Sequence, residues 1–295
     1  MSEKQNRGVS RRDALKKTSI AFAGSLTLPS VVRGEKGRSL DDMHRDLMQS
    51  RRIQNNAGLE ARINYLEARG IGAGYNRLLA KFPNEGNGPS TADSPDNYCV
   101  EPDKCDGDID LTLWFFYDQD MEAYYAELSM RYRYYYYQSY TAYDYWGPRY
   151  PDDGAGIMWE KDHWEVMNAD DIPSSTEGDD HVEWDNGSWN QEGLGYRVNS
   201  ADIARNTGQT NDRDKHWSDY EYAGVYLNQA EDYEDGDSIH AAYEYTWSSG
   251  ELSGVSVSYP WGISVSASST TKSEDLQTEL DGSSLMVDTS DAYLQ

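Results

Sequence analysis

Hydrophobic positions recur with two different periods along this chain, and the period changes near residue 109. Leu40, Met43 and Leu47, and then Leu59, Ile63 and Leu66, follow at three- and four-residue steps, the spacing that places side chains on one face of a helix. Ser39 offers a capping hydroxyl, and Asp41 and Asp42 stand in the first turn, where the helix dipole favours negative charge. Gly70, Gly72 and Gly74 are predicted to end this run, with a short apolar-periodic piece from Leu78 to Phe82 beyond them. Residues 35–82 thus read as a helical segment. Pro, Gly, Asn, Ser and Asp dominate residues 83–108, which is the chemistry of a linker.

From Ile109 onward the pattern is alternation. Ile109 to Tyr117 is a strand-like apolar run, and between Glu127 and Tyr137 one face carries Leu128, Met130, Tyr132, Tyr134 and Tyr136 while the other begins Glu127, Ser129, Arg131, Arg133. That alternation predicts a half-buried strand. Ile157 to Val166, Val182 to Trp184, Leu194 to Val198, Tyr220 to Leu227, Ile239 to Trp247, Val255 to Tyr259 and Ile263 to Ala267 repeat it, with turn pairs such as Asn186-Gly187 and Asp235-Gly236 between them. Eight or nine strands without intervening helices predict a mainly β fold, an antiparallel sandwich or jelly-roll-like domain over residues 109–270 behind a short helical N-terminal segment. Residues 271–295 read as a flexible tail with a last strand at Leu285 to Val287.

The segment ahead of the helices carries an address. Ser10-Arg11-Arg12-Asp13-Ala14-Leu15-Lys16 precedes an apolar run from Thr18 to Val32, and Arg11, Arg12, Leu15 and Lys16 form the pattern of a twin-arginine export signal. The apolar run is shorter than the roughly 20 residues a membrane-spanning helix needs. Residues 1–34 are therefore expected to be a removable signal peptide, handled by the twin-arginine translocase, with the protein secreted or held at the cell surface and no membrane span after cleavage.

Charge changes the picture next. The chain carries 26 Lys+Arg against 52 Asp+Glu, a net charge of −26. Up to Phe82 there are 16 basic and 8 acidic residues, net +8, which leaves net −34 for the remainder. Such a polyanion repels itself at low salt, whereas molar salt shortens the screening length to about 3 Å. In leader and composition the chain resembles twin-arginine-exported acidic proteins of halophilic archaea. That resemblance implies export and adaptation to high salt, and transfers no active site. An acidic surface also argues against nucleic acid as a partner. Aliphatic residues are few while Tyr numbers 24 and Trp 9, so the expected core is aromatic.

Candidate chemistry is sparse. Cys99 and Cys105 in an exported protein are expected to close a small disulfide loop. No further Cys or Cys/His pair provides zinc-ligand spacing, and His44, His163, His181, His216 and His240 form no paired metal motif. No cofactor is expected. Asp106-Gly107-Asp108-Ile109-Asp110 and Asp232 to Asp237 gather oxygen ligands that calcium uses, but Leu111 and Tyr117 stand where an EF-hand needs Gly and Glu. Trp159-Glu160, Trp164-Glu165 and Glu183-Trp184-Asp185 invite a glycoside hydrolase reading; three of nine Trp with an acidic neighbour is what this acidic composition produces by chance. The densest aromatic cluster is Tyr134 to Tyr137 with Tyr140, Tyr143, Tyr145 and Trp146, from which Tyr135, Tyr137, Tyr140 and Trp146 are the candidate platform for sugar rings or a cell-surface protein. The function these features favour is extracellular binding or structure, with a secreted hydrolase and a bacteriocin-like precursor released from residues 35–82 as alternatives.

Overall fold

A computed structural model describes residues 38–80, 98–99, 108–138, 143–146, 152–167, 181–185, 187–206, 216–230, 237–247, 252–259, 262–267, 272–275 and 285–293. Two helices come first, α1 (Leu40–Ala57) and α2 (Leu59–Glu67). Ser39 and Asp42 form a reciprocal capping box at the start of α1, which satisfies two backbone N–H groups that have no partner within the helix. Gly58, at φ +86°, ends α1 and lets the chain fold back into α2.

All the paired strands run antiparallel. One sheet has the order β2 (Tyr98–Cys99), β1 (Ile71–Ala80), β3 (Ile109–Asp118), β4 (Ala123–Gln138), β11 (Glu221–Gln229), β7 (Trp164–Val166), with β5 (Tyr143–Trp146) and β10 (His216–Trp217) also paired to β4. The second has the order β15 (Lys272–Asp275), β12 (Ser238–Trp247), β6 (Asp153–Met158), β9 (Gly193–Val198), β8 (Val182–Trp184), and β16 (Leu285–Asp288) also joins β12. A separate hairpin pairs β13 (Leu252–Ser258) with β14 (Gly262–Ala267). The mainly β, antiparallel class predicted from alternation is the class observed.

The two sheets enclose the principal core. Leu111, Leu113 and Phe115 of β3 and Leu128, Met130 and Tyr132 of β4 meet Ile157 of β6, Leu194 and Tyr196 of β9, and Ile239 and Tyr243 of β12, all buried. Eight aromatic rings lie in this core among a larger number of Leu, Ile, Val, Ala and Met side chains, so it is not the aromatic core that composition led one to expect; Phe115 and Tyr124 each make an edge-to-face contact with Trp164. Burying each such ring contributes roughly 2–3 kcal/mol.

Four further expectations are corrected. Residues 71–80 are strand rather than helix, because β1 pairs with β3 along its whole length, from Ile71 opposite Asp118 to Ala80 opposite Ile109. Ile157 to Val166 is two strands in different sheets, β6 and β7. A short helix, α3 (Ser200–Asn206), does interrupt the strands. Finally, β4 is buried on both faces over its first half: Glu127 and Ser129, read as a solvated side, have no exposed surface. The helix pair covers them, with Met43, Leu47 and Leu66 packing on Trp114, Phe116 and Tyr125 in a second core.

The hairpin makes a fourth layer on the outer face of the second sheet. Alternation turns Gly154 and Gly156 of β6 and Gly195 of β9 toward it, and a Cβ at these positions would meet Val265 at 2.5 Å, Ile263 in overlap and Val255 at 2.9 Å respectively. Glycine at every second position is thus what lets the apolar side of the hairpin approach the sheet. Arg197 and Asp185 fasten its edge: Asp185 Oδ2 accepts from the Val255 N–H at 2.8 Å, and Arg197 Nη2 donates to the Ser253 carbonyl at 2.9 Å. Gly156→Val should therefore destabilise the protein by about 1–3 kcal/mol through overpacking. Gly187→Ala, where the nearest atom to an added Cβ is Asp185 Oδ1 at 3.5 Å, should change little. Denaturant unfolding of both variants in molar salt checks this, and equal stabilities would contradict the close packing.

Candidate functional site

Two buried ionic centres among the described residues lie on the outer face of the first sheet. β4 presents Glu127, Ser129, Arg131 and Arg133 there in turn. Glu127 is fully buried and bridges two arginines from the helices: Arg51 Nε lies 2.9 Å from Oε2, and Arg62 Nη1 lies 2.7 Å from Oε1. Arg62 also donates to Gln54 Oε1 at 2.6 Å and Ser50 Oγ at 3.0 Å, while its guanidinium lies 4.6 Å from the Trp114 ring centre. Arg51 donates to the Tyr125 hydroxyl at 2.8 Å. Burial by itself raises the Glu127 pKa, but Arg62 and Arg51 outweigh it and hold the carboxyl below the ordinary range. Burial pushes the Tyr125 hydroxyl up to about 12, so it remains a neutral donor and acceptor.

Helix cover ends where Asn55 Oδ1 accepts from the Tyr220 N–H at 2.8 Å. Beyond it stands a second ionic centre. Asp110 is buried and accepts two bonds of 2.7 Å from Arg77, one of 2.8 Å from Arg131 and one of 2.8 Å from the Tyr220 hydroxyl. Here too burial raises the carboxyl pKa and the arginines, with Tyr220, bring it below its usual value. Arg131 and Arg77 remain about a quarter and a fifth exposed. The Arg131 guanidinium lies over both Tyr220 and Trp217, at 4.3 and 4.7 Å from their ring centres, and Arg133 lies 5.0 Å from that of Trp217. The result is a strip of stacked guanidinium and aromatic planes at the rim of the helix pair.

The backbone ladder of β4 runs on past this strip. β4 pairs Arg133 with Trp217, then Tyr135 with Trp146 and Tyr137 with Asp144. Tyr135, Tyr137 and Trp146 are described for their backbone, and Tyr140 lies outside the described residues. The ladder therefore brings three of the four predicted platform residues to the far end of β4. Sequence reading missed Arg131, Trp217 and Tyr220 as their neighbours, because Trp217 and Tyr220 are some 80 positions away along the chain. Nothing in the spacing links His216-Trp217 to β4.

Other predicted residues are dispersed. Arg11, Arg12, Leu15 and Lys16 lie outside the described residues, as does Cys105; Cys99 is in β2, opposite Leu79, so the expected bridge is not among the described features. Trp159 and Trp164 are buried in the intersheet core. Asp185, beside Trp184, ties Arg197 and the hairpin rather than facing a second free acid. In the first candidate calcium turn Asp110 is occupied by arginines, and in the second Asp237 lies 2.9 Å from His163 Nδ1. Among the described residues no group of three or more His, Cys, Asp or Glu is arranged to hold a metal ion.

One buried acid has a different environment. Asp153 on β6 accepts from the Thr246 N–H at 2.7 Å and from the Tyr243 hydroxyl at 2.6 Å, and Tyr243 in turn meets the Tyr132 hydroxyl at 2.6 Å. This polar chain rivets the two sheets through the core. Burial, reinforced by Asp152 and opposed by those hydrogen bonds, raises the Asp153 pKa to about 7.

No protein-family model matches the chain and no curated protein matches it, so the reading below rests on these residues.

The Asp153 geometry has a measurable sign. Between the ordinary carboxyl pKa and about 7 the folded state holds a proton that the unfolded chain releases. Its stabilising contribution is full below pH 4 and is lost as pH rises through 7, amounting to about 4 kcal/mol. Asp153→Asn removes that titration, so its stability at pH 8 relative to pH 4 should exceed that of wild type by about 4 kcal/mol. Unfolding measured in molar salt at both pH values checks it; a wild-type-minus-variant difference that does not move with pH would overturn the assignment.

Proposed function

We propose that this is an exported extracellular binding protein adapted to high salt, whose ligand is a polysaccharide. The observation that carries the reading is the half-buried ring of Trp217, set against Arg131 and Arg133 with Tyr220 buried on the other side of the Arg131 contact, next in the ladder to the Tyr135–Trp146 register pair. Sugar rings present apolar C–H faces that stack on such planes, and stacking keeps its strength in brine where exposed ion pairs are screened.

The distribution of charge supports the salt reading. Arg38, Arg51, Arg62, Arg69, Arg77, Arg131 and Arg197 each pair with a carboxylate of the same chain. Basic charge is therefore drawn inward or onto local partners, which leaves acids such as Glu60, Asp120, Glu165 and Asp219 exposed. Screening by concentrated salt relieves repulsion among those acids and hardly touches the buried pairs. The hydrolase alternative gains nothing from Trp159 and Trp164, which are core residues.

Retention on insoluble cellulose and chitin, and retardation in gels containing alginate, measured at molar KCl, tests the proposal. The wild-type chain should be retained by at least one polymer, and Trp217→Ala should weaken that retention about tenfold, roughly 1–2 kcal/mol for loss of one stacking ring, with the circular dichroism unchanged. No retention on any polymer, or equal retention of the variant, would contradict it; retention on intact cells alone would point to a cell-surface protein instead.

A further inference from the structure

A basic segment ahead of an acidic domain admits two histories: a pro-segment that is cut off, or a permanent layer of the fold. We propose that everything from Arg38 onward is one inseparable body, so that the maturation cut accompanying export falls N-terminal to Arg38 and the helix pair remains part of the protein outside the cell. The inference rests on the export reading above. The step itself is hydrolysis of one backbone amide by water, as a signal-peptide endopeptidase performs it.

Arg38 marks the boundary because its guanidinium joins three elements. It donates to Asp46 on α1 at 2.5 Å and to the Arg69 carbonyl after α2 at 2.6 Å, and its Nε lies 3.0 Å from Oδ2 of Asp118 at the end of β3. Asp118 has no exposed side-chain surface. A cut beyond Arg38 would leave that carboxylate buried without its cation, a costly arrangement.

The other end of the segment is tied more firmly. Release after a cut near residue 83 would remove β1 from its full-length pairing with β3, uncover Trp114 and Phe116, and strip Glu127 of both Arg51 and Arg62. An acidic domain freed in this way would expose an apolar face and a buried unpaired charge together. The precursor reading requires that product to be stable.

Intact mass and N-terminal sequencing of the protein from culture fluid tests the inference. The expected chain begins at or before Arg38 and includes residues 38–80; a chain beginning near residue 83 would overturn it. If the protein is found only inside cells at full length, the export reading fails, and a second measurement decides the rest. In the full chain carrying an inserted protease sequence after Gly88, cleavage in molar salt should leave the two pieces eluting together on size exclusion. Separation of the N-terminal piece from a folded remainder would overturn the inseparable body.

Discussion

The carboxylate of Glu127, buried between Arg51 and Arg62, is the interaction on which the architecture turns. A lone carboxylate in that position would cost several kcal/mol in lost hydration, and two lone guanidiniums more. Together they leave no side of the arrangement free to dissociate cheaply. Because the acid belongs to the sheet and the bases belong to the helices, the pair decides that α1 and α2 lie on β3 and β4, with Trp114, Phe116 and Tyr125 beneath them. Apolar burial supplies most of the stabilisation of that layer, and the ionic centre fixes where it sits.

The same arrangement recurs at lower burial. Asp110 gathers Arg77, Arg131 and Tyr220, and Asp118 and Asp46 gather Arg38 and Arg69. In a chain with twice as many acids as bases, arginine used in this way holds elements together from within while the surface stays acidic. Arginine suits the task because its planar fork serves two acceptors and its face rests on aromatic rings. At Arg131, about a quarter exposed, this chemistry meets the half-buried ring of Trp217 at the end of the helix cover, and the binding reading centres there. Between the two sheets, hydrogen bonds among Tyr132, Tyr243 and Asp153 do the joining without a cation. Acid weakens the Glu127 and Asp110 centres, whose pKa values are held low, whereas base weakens the Asp153 rivet.

Much of the fold was legible because alternation is a local signal. β3 falls on a continuous apolar run, β4, β9, β11, β12, β13 and β14 fall on apolar-alternating stretches, and β16 falls on the last strand read in the tail. β1 was missed because its sequence, Ile-Gly-Ala-Gly-Tyr-Asn-Arg-Leu-Leu-Ala, has glycines that look like breakers until one sees that Gly74 backs closely onto Asp291 and Val287. The second covered face of β4 was missed because Glu, Ser and Arg at alternate positions look solvated. A signal did exist on the helices: Arg51 follows Leu47 by four and Arg62 precedes Leu66 by four, so both stand in register with the apolar face. Glycine at alternate positions, in Gly154-Ala155-Gly156 and Gly193-Leu194-Gly195, likewise marked a strand face shaped for close approach. The platform was half legible, since adjacency in sequence gathered its tyrosines while Arg131, Trp217 and Tyr220 meet only through strand pairing.

Unfolding free energy of Glu127→Gln against wild type, taken at about 1 M and about 4 M KCl, tests the central claim most directly. A buried ionic centre that positions the helix pair predicts a loss of about 3–5 kcal/mol at both salt concentrations, because the interior pair is shielded from mobile ions. A loss below about 1 kcal/mol, or one that vanishes at the higher concentration, would make the contact an ordinary surface ion pair and contradict the account.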